Sequence, residues 1–208
     1  IESICLWPRA RSYYARNHWG GRIFVGDSWV LDSPLHNAIS HVVNLILFFA
    51  GSTLEGRADP LHVRAELYRS KPIQNFDTVR TVATLDTGAT AGIVLSHSSE
   101  KTIDPEIRIV GSEGIFTWKF NGPHSIERGN GVETVETDSQ LEVRERMFRN
   151  VHQRILGDSS ARICTTEQAK GEVKWINAVQ DAASIHDIPE EHLYLREPAD
   201  GNQYDTIW

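Results

Sequence analysis

Cysteine is almost missing from this chain. Cys5 and Cys164 are the only two, far apart and outside any C-x-x-C pair. That leaves no disulfide framework and fits a reducing, cytoplasmic setting. Long apolar runs are missing too. The longest, Val42 to Ala50, contains Asn44 and is too short to cross a bilayer, so no membrane role is expected. No signal peptide stands at the start, which is Ile1. Positive charge is scarce: 21 Lys and Arg stand against 28 Asp and Glu, a net charge of −7, which argues against a nucleic-acid partner. No G-x-G-x-x-G, Walker sequence, Gly-x-Ser-x-Gly elbow or H-E-x-x-H occurs, which removes the sequence basis for a dinucleotide, nucleoside triphosphate, serine-hydrolase or zincin site. What is present is ordinary globular material: 208 residues, 40% hydrophobic and 24% charged, enough for one domain with a sizeable core.

Strand-like segments dominate. Ile4 to Trp7 opens the chain, and Ile23 to Val25 and Trp29 to Leu31 are short extended pieces. His62 to Arg69, Thr78 to Leu85 and Ala91 to Ser98 alternate in polarity, with Asp86-Thr87-Gly88 as a hairpin turn. Glu106 to Val110 and Ile115 to Phe120 flank a second turn, and Ser125 to Arg128 and Val132 to Thr137 a third. Strands joined by short turns without intervening helices predict an antiparallel meander. Two capping boxes, Ser139-x-x-Glu142 and Thr165-x-x-Gln168, start helices. The first repeats Leu141, Phe148, Val151 and Ile155; the second repeats Ala169, Val173, Ile176, Val179 and Ala183. His192 to Arg196 reads as a last strand, and residues 197–208 as a polar tail or truncated end. The expected fold is α+β: a large, mostly antiparallel open β-sheet with helices packed on one face.

The segment from Val30 to Gly51 is the most unusual. Ser33 suits an N-cap, Pro34 a first helical position and Gly51 a terminating cap. At about 100° per residue, His36, Asn37, Ser40, His41 and Asn44 share one face, with no Lys, Glu or Arg among them. Neutral hydrogen-bonding side chains on an otherwise apolar helix suggest a cleft wall. Asp32 lies four residues before His36, so carboxylate and imidazole can meet at the helix start. The positive end of the helix disfavours imidazolium, and a neutral imidazole beside a carboxylate suits a general base. The plainer alternative is that Asp32 caps the helix and His36 packs. A metal is not expected: His36 and His41 stand roughly 140° apart around a helix, too far round to share one ion. His97, at a strand end, reads more readily as a structural residue than as a cleft residue.

The segment from Trp7 to Arg22 gathers Arg9, Arg11, Arg16 and Arg22 with Trp7, Tyr13, Tyr14 and Trp19. Guanidinium forks suit carboxylates and aromatic faces suit ring stacking, so a substrate site or an interface is expected here.

Trp7-Pro-Arg with Tyr13-Tyr14-Ala-Arg16-Asn17, Trp19-Gly-Gly-Arg22, and Val30-Leu-Asp-Ser-Pro with Asn37-Ala and His41 resemble the C-terminal domain of the Gfo/Idh/MocA oxidoreductases. Gly111-Ser-Glu-Gly114-Ile-Phe-Thr-Trp118 and the helix from Thr165 extend the resemblance, which covers residues 1–196. It implies a substrate-binding and oligomerisation domain of an enzyme that uses NAD or NADP to oxidise or reduce a sugar, polyol or related compound. The dinucleotide is bound mainly by a Rossmann domain that this chain lacks, so the chain alone is expected to be inactive and to be an excised domain or one product of a split protein. Asp32 and His36 match the family's D-x-x-x-H pair, with His36 as proton acceptor oriented by Asp32. The resemblance also makes Arg9, Arg11, Tyr14, Arg16, Asn37 and His41 substrate-binding residues and implies a homo-oligomer through the open sheet. An acid three residues after the histidine is replaced by Ile39, and Glu100-Lys101-Thr102 does not match the family's Glu-Lys-Pro lysine. The missing acid leaves a second reading, a binding or assembly module that kept the scaffold without the chemistry. A third, a metal-dependent hydrolase using Asp32 and the histidines, has only the residue types in its favour.

Overall fold

Val79, Thr81, Ala83 and Leu85 are buried while Arg80 and Thr84 face solvent, the two-residue period of a strand with one covered face. The computed structural model describes residues 1–207 and repeats this pattern across a sheet. Its strands are β1 (Glu2–Leu6), β4 (Pro60–Arg69), β5 (Thr78–Leu85), β6 (Thr90–Ser96), β7 (Ile103–Gly111), β8 (Gly114–Lys119), β9 (His124–Arg128), β10 (Gly131–Val135) and β11 (Ile185–Asp187). The small ribbon β2 (Phe24–Val25) and β3 (Ser28–Trp29) stands apart, as do β12 (Leu193–Arg196) and β13 (Tyr204–Ile207). The helices are α1 (Arg11–Ala15), α2 (Ser40–Phe49), α3 (Gln140–Ile155) and α4 (Thr166–Ala182). The architecture is α+β, a nine-stranded, mostly antiparallel open sheet in the order β10-β9-β8-β7-β1-β6-β5-β4-β11.

The hairpins form as expected, but the meander is interrupted. β1 inserts between β6 and β7, parallel to the first and antiparallel to the second. β11, not foreseen from the sequence, adds a parallel edge to β4. β1, β4 and β6 therefore run the same way, and their C-terminal ends lie at one end of the sheet.

Helices α2 and α4 cover the buried face. Val42, Val43, Ile46 and Leu47 meet Trp175, Ile176 and Val179 over the strand residues Leu67, Val79, Ile93 and Leu95. Both capping boxes form: Ser139 N donates to Glu142 Oε2 at 2.8 Å and Thr165 N to Gln168 Oε1 at 2.9 Å. The buried stripe of α4 is displaced from the expected one. Val173 is exposed, and the wide side of Trp175 fills the core instead. Its indole N–H donates to Thr81 Oγ1 at 3.1 Å, both groups buried. Thr81→Val should therefore cost about 1–3 kcal/mol by stranding that donor. Urea unfolding checks this, and an unchanged midpoint would deny the bond any weight. No residue of α3 is buried; its apolar stripe faces outward.

Two boundaries differ from the sequence reading. The helix does not begin at Ser33. Residues 33–39 form turns, and α2 starts at Ser40. Leu31 takes a left-handed φ of 53°, Asp32 is drawn toward another loop, and Ile39 N closes back on Pro34 O, so the cap chemistry of Ser33 and Pro34 organises a turn. The end of the chain is not a loose polar tail: Tyr204–Ile207 form β13, with Asp205 and Thr206 buried. Trp208 lies outside the described residues.

Candidate functional site

The shared C-terminal end of β1, β4 and β6 gathers three peptide segments. Arg9 N donates to His97 O at 2.9 Å and His97 N to Asp77 O at 2.9 Å, so the chain leaving β1 is stitched to the exit of β6 and through it to the entry of β5. β13 closes the group from outside, with Ile207 N on Ser98 O and Arg11 N on Gln203 O, both 2.8 Å. Short-range turns then fold residues 10–22 over the strand ends. Asn17 Oδ1 accepts from Trp19 N and Gly20 N, an Asx turn that sets the Trp19-Gly20-Gly21 bend.

A cleft of about 530 Å³ opens there, walled by Arg11, Tyr14, Asn17, Arg22, Lys71 and Gln74. Tyr14 Oη meets His97 Nδ1 at 2.9 Å. His97 is 2% exposed, and its Nε2 has no hydrogen-bond partner. Burial, then the charges of Arg9, Lys71 and Arg16, hold its pKa well below the ordinary 6.5. Burial also pushes the Tyr14 hydroxyl up, helped by Asp77, Tyr13 and Asp32. Lys71 is 3% exposed. Its ammonium donates to Ser98 Oγ, to His97 O at 3.1 Å, to Asp205 O at 3.3 Å and to Ser70 Oγ at 3.4 Å. Burial lowers its pKa, against the pull of Asp77 and Asp205.

The sequence-derived site residues divide among four places. Arg11 and Tyr14 line this cleft, and Arg9 and Arg16 lie outside its lining against Tyr13. The Arg9 guanidinium lies 5.6 Å from the Trp7 ring and 5.2 Å from Tyr13, and that of Arg16 lies 3.6 Å from Tyr13 and 5.2 Å from Trp19. Arg11 forms a two-pronged pair with Asp205, at 2.8 and 2.5 Å. Asp32 and Asn37 brace the cleft from behind: Asp32 accepts from Gly21 N at 2.6 Å and from Asn37 Nδ2 at 2.9 Å. His36 is exposed at the turn before α2, its backbone N held by Ser33 O at 3.2 Å. Among the described residues no hydrogen bond or ion pair joins Asp32 to His36, so the carboxylate steadies the Gly21 loop and the turn around Asn37. Ile39, where the resemblance leads one to look for an acid, is 1% exposed and part of the core.

His41 belongs to a second cavity of about 820 Å³ between α2 and the strand β8, lined with Asn44, Phe48, Trp118 and Glu172. Burial raises the Glu172 carboxyl, opposed by hydrogen bonding from Asn44 and Ser40 and by the charges of His41 and His36. The stripe of α2, which holds no Lys, Arg, Asp or Glu, thus faces one acid on α4. Lys71, Asn17 and Glu172 were missed from sequence. Ser70-Lys71-Pro72 looks like a turn, and Glu172 lies on another helix far along the chain. Among the described residues no three His, Cys, Asp or Glu side chains lie close enough to hold a metal ion.

His97 makes a pH prediction. A histidine buried neutral takes up its proton on unfolding. Its contribution to stability is complete above pH 6.5 and is lost as pH falls below that value, toward the lowered folded pKa. The slope is at most about 1.4 kcal/mol per pH unit. Chemical denaturation across this range should show wild-type stability falling faster than that of His97→Gln; parallel curves would mean that His97 is not held neutral.

By sequence, the chain matches no protein-family model and no curated protein. Solved structures share its fold. The WlbA dehydrogenase from Bordetella pertussis, in complex with NADH and UDP-GlcNAcA, superposes at a TM-score of 0.63 and 18% identity, over 88% of this chain and 52% of that one. UDP-N-acetylglucosamine 3-dehydrogenase GnnA from Acidithiobacillus ferrooxidans gives 0.62 and 18%, over the same shares. A levoglucosan dehydrogenase in complex with NADH gives 0.66 and 13%, over 99% of this chain and 57% of that one. The chain spans about half the length of these structures. Identities this low speak to fold alone: the chain shares the fold of about half of each of these dehydrogenases, in keeping with the resemblance to the C-terminal domain of the Gfo/Idh/MocA oxidoreductases.

Proposed function

We propose that this chain is the substrate-binding half of a nicotinamide-dependent oxidoreductase acting on a sugar, polyol or sugar acid. The observation that carries the reading is the Tyr14 cleft: Tyr14, Asn17 and Gln74 offer hydroxyl-scale hydrogen bonding, and Arg11, Arg22 and Lys71 offer charge, at the converging strand ends of a fold shared with sugar dehydrogenases.

The described residues do not fit a dinucleotide. The parallel strands β1 and β6 run into Trp7-Pro8-Arg9 and His97-Ser98-Ser99, without a glycine-rich turn into a helix, so no phosphate cradle follows either. NAD or NADP would be bound by polypeptide outside these elements, with this chain supplying the substrate side. In this reading His36 is the proton acceptor for a substrate hydroxyl. Its exposure leaves the imidazole open to a substrate held between this surface and another domain. Arg9, Arg11, Tyr14 and Arg16 contact substrate, while Asp32 and Asn37 position the loop that holds Tyr14. His41 stands at the apolar cavity and is the least supported of the assigned contacts.

The open sheet face, with Ile4 and Val94 exposed beside Glu66 and Arg80, supports a homo-oligomer. Among the described residues no helix is long and apolar enough to cross a membrane.

A second reading keeps the scaffold and drops the chemistry. The burial of Ile39 favours it, because no acid stands beside His36 at that position. Reduction of NAD+ and NADP+ over a panel of sugars, polyols and sugar acids separates the two. Turnover by the polypeptide that includes a dinucleotide domain, and none by this chain alone, supports the enzyme. Binding of a sugar with no turnover in any form supports the module.

A further inference from the structure

We propose that the Tyr14 cleft is an anion-selective subsite that takes the carboxylate or phosphate group of an acidic sugar. This rests on the substrate-site reading above and narrows its substrate class.

The cleft wall carries Arg11, Arg22 and Lys71 and no carboxylate. Arg9 and Arg16 lie outside the lining, stacked on Trp7, Tyr13 and Trp19, and their charges reach His97 behind Tyr14. Such a cluster runs against a chain of net charge −7. Most of this charge is also unpaired. Among the described residues Arg9, Arg16, Arg22 and Lys71 enter no ion pair, and only Arg11 has one. Five carboxylates lie nearby, each already engaged: Asp104 accepts from Trp7 Nε1 and Asn121 Nδ2, and Glu197 from Gln203 Nε2. Asp32 serves Gly21 and Asn37, and Asp205 serves Arg11. Asp77 accepts from Ser70 N and Oγ, Lys71 N and Thr78 Oγ1. The wall itself therefore presents cations and no acid at a concave, partly dry surface.

Lys71 makes the point sharpest. Its buried ammonium is satisfied in hydrogen bonds, but every acceptor is a neutral oxygen. Asp77 and Asp205 act on this charge only through their field, without an ion pair, so it is partly compensated and still favours an incoming anion. The depressed His97 imidazole responds to the same field, through Arg9, Lys71 and Arg16. Guanidinium forks match planar carboxylates and phosphates in two-pronged fashion. Tyr14, Asn17 and Gln74 on the same wall then favour a hydroxylated body attached to the anion.

The test is calorimetric titration of the protein with D-glucuronate, D-glucose 6-phosphate and D-glucose, at low and at physiological salt. At least one acid should bind about tenfold or more tighter than glucose, with the advantage shrinking as salt rises. Preference for glucuronate assigns a carboxylate site, and preference for the phosphate ester assigns a phosphate site. Arg22→Gln, whose side chain is exposed, should lower the affinity for the preferred acid about tenfold, and Arg22→Lys should restore part of it. A second readout needs no variant: the His97 imidazole resonances should move on adding the acid and stay still with glucose. Glucose binding as tightly as both acids, no binding by any of the three, or unmoved His97 resonances would overturn the proposal. Acid-selective binding without nicotinamide-linked turnover would remove the oxidoreductase reading and keep the subsite. Turnover of neutral polyols without acid selectivity would do the reverse.

Discussion

Gly21→Ala is expected to destabilise the protein by about 2–4 kcal/mol, summing a left-handed backbone penalty with overpacking. Gly21 has a φ of 70°, and an added Cβ would lie 2.8 Å from Ile73 Cβ and 3.0 Å from Tyr14 Cδ1. Its peptide is also the knot of the site: Gly21 N donates to Asp32 Oδ2, and Gly21 O accepts from Gln74 N and Asn75 N, each at 2.9 Å. A displaced Gly21 moves Tyr14 on one side and the loop after Lys71 on the other. At about 2–4 °C per kcal/mol for a chain of this size, the melting temperature should fall by roughly 4–16 °C. Gly26→Ala is the control. Its φ is 57°, but nothing lies within 4 Å of an added Cβ, so only the backbone penalty of about 1–2 kcal/mol applies. Equal losses from the two variants would mean that contact with Ile73 and Tyr14 carries no cost.

On the proposed function, His36→Ala in a polypeptide that includes a dinucleotide domain is expected to lower kcat by about 10²- to 10⁴-fold, the usual range for a lost general base. Affinity for the dinucleotide should hardly change, because the proposed function puts His36 on the substrate side. Asp32→Asn should act differently. Asp32 touches Gly21 and Asn37 and not His36, so its loss should raise KM and lower stability more than it lowers kcat. Steady-state kinetics on both variants distinguish these patterns. Unchanged turnover in His36→Ala would end its assignment as proton acceptor.

Much of the sheet was legible because its signals are local. The Asp86-Thr87-Gly88 turn, the two-residue period of Thr78 to Leu85 and the two capping boxes depend on neighbours a few residues apart. The insertion of β1 between β6 and β7 was not legible, since a five-residue strand carries no record of its long-range partners. The helix start was misplaced for a related reason. Ser33 and Pro34 satisfy local cap rules, but the bond from Gly21 to Asp32 and the left-handed Leu31 impose a turn.

The site divides along the same line. The arginines and aromatics of residues 7–22 were visible as a cluster in sequence. Lys71, His97 and Asp205 converge only through strand order, from the exits of β4 and β6 and from β13. The odd neutral stripe of α2 was readable as such. Its counterpart Glu172 was not, because helix pairing joins α2 to α4 across most of the chain.

The most direct measurement is the crystal structure of the full polypeptide with nicotinamide dinucleotide and a sugar that it turns over. The sugar should lie against Tyr14, Arg22 and Lys71, with a hydroxyl within about 2.6–3.2 Å of the His36 imidazole. A sugar seated in the apolar cavity beside Trp118, or at any place that leaves Tyr14 and His36 untouched, would contradict the account.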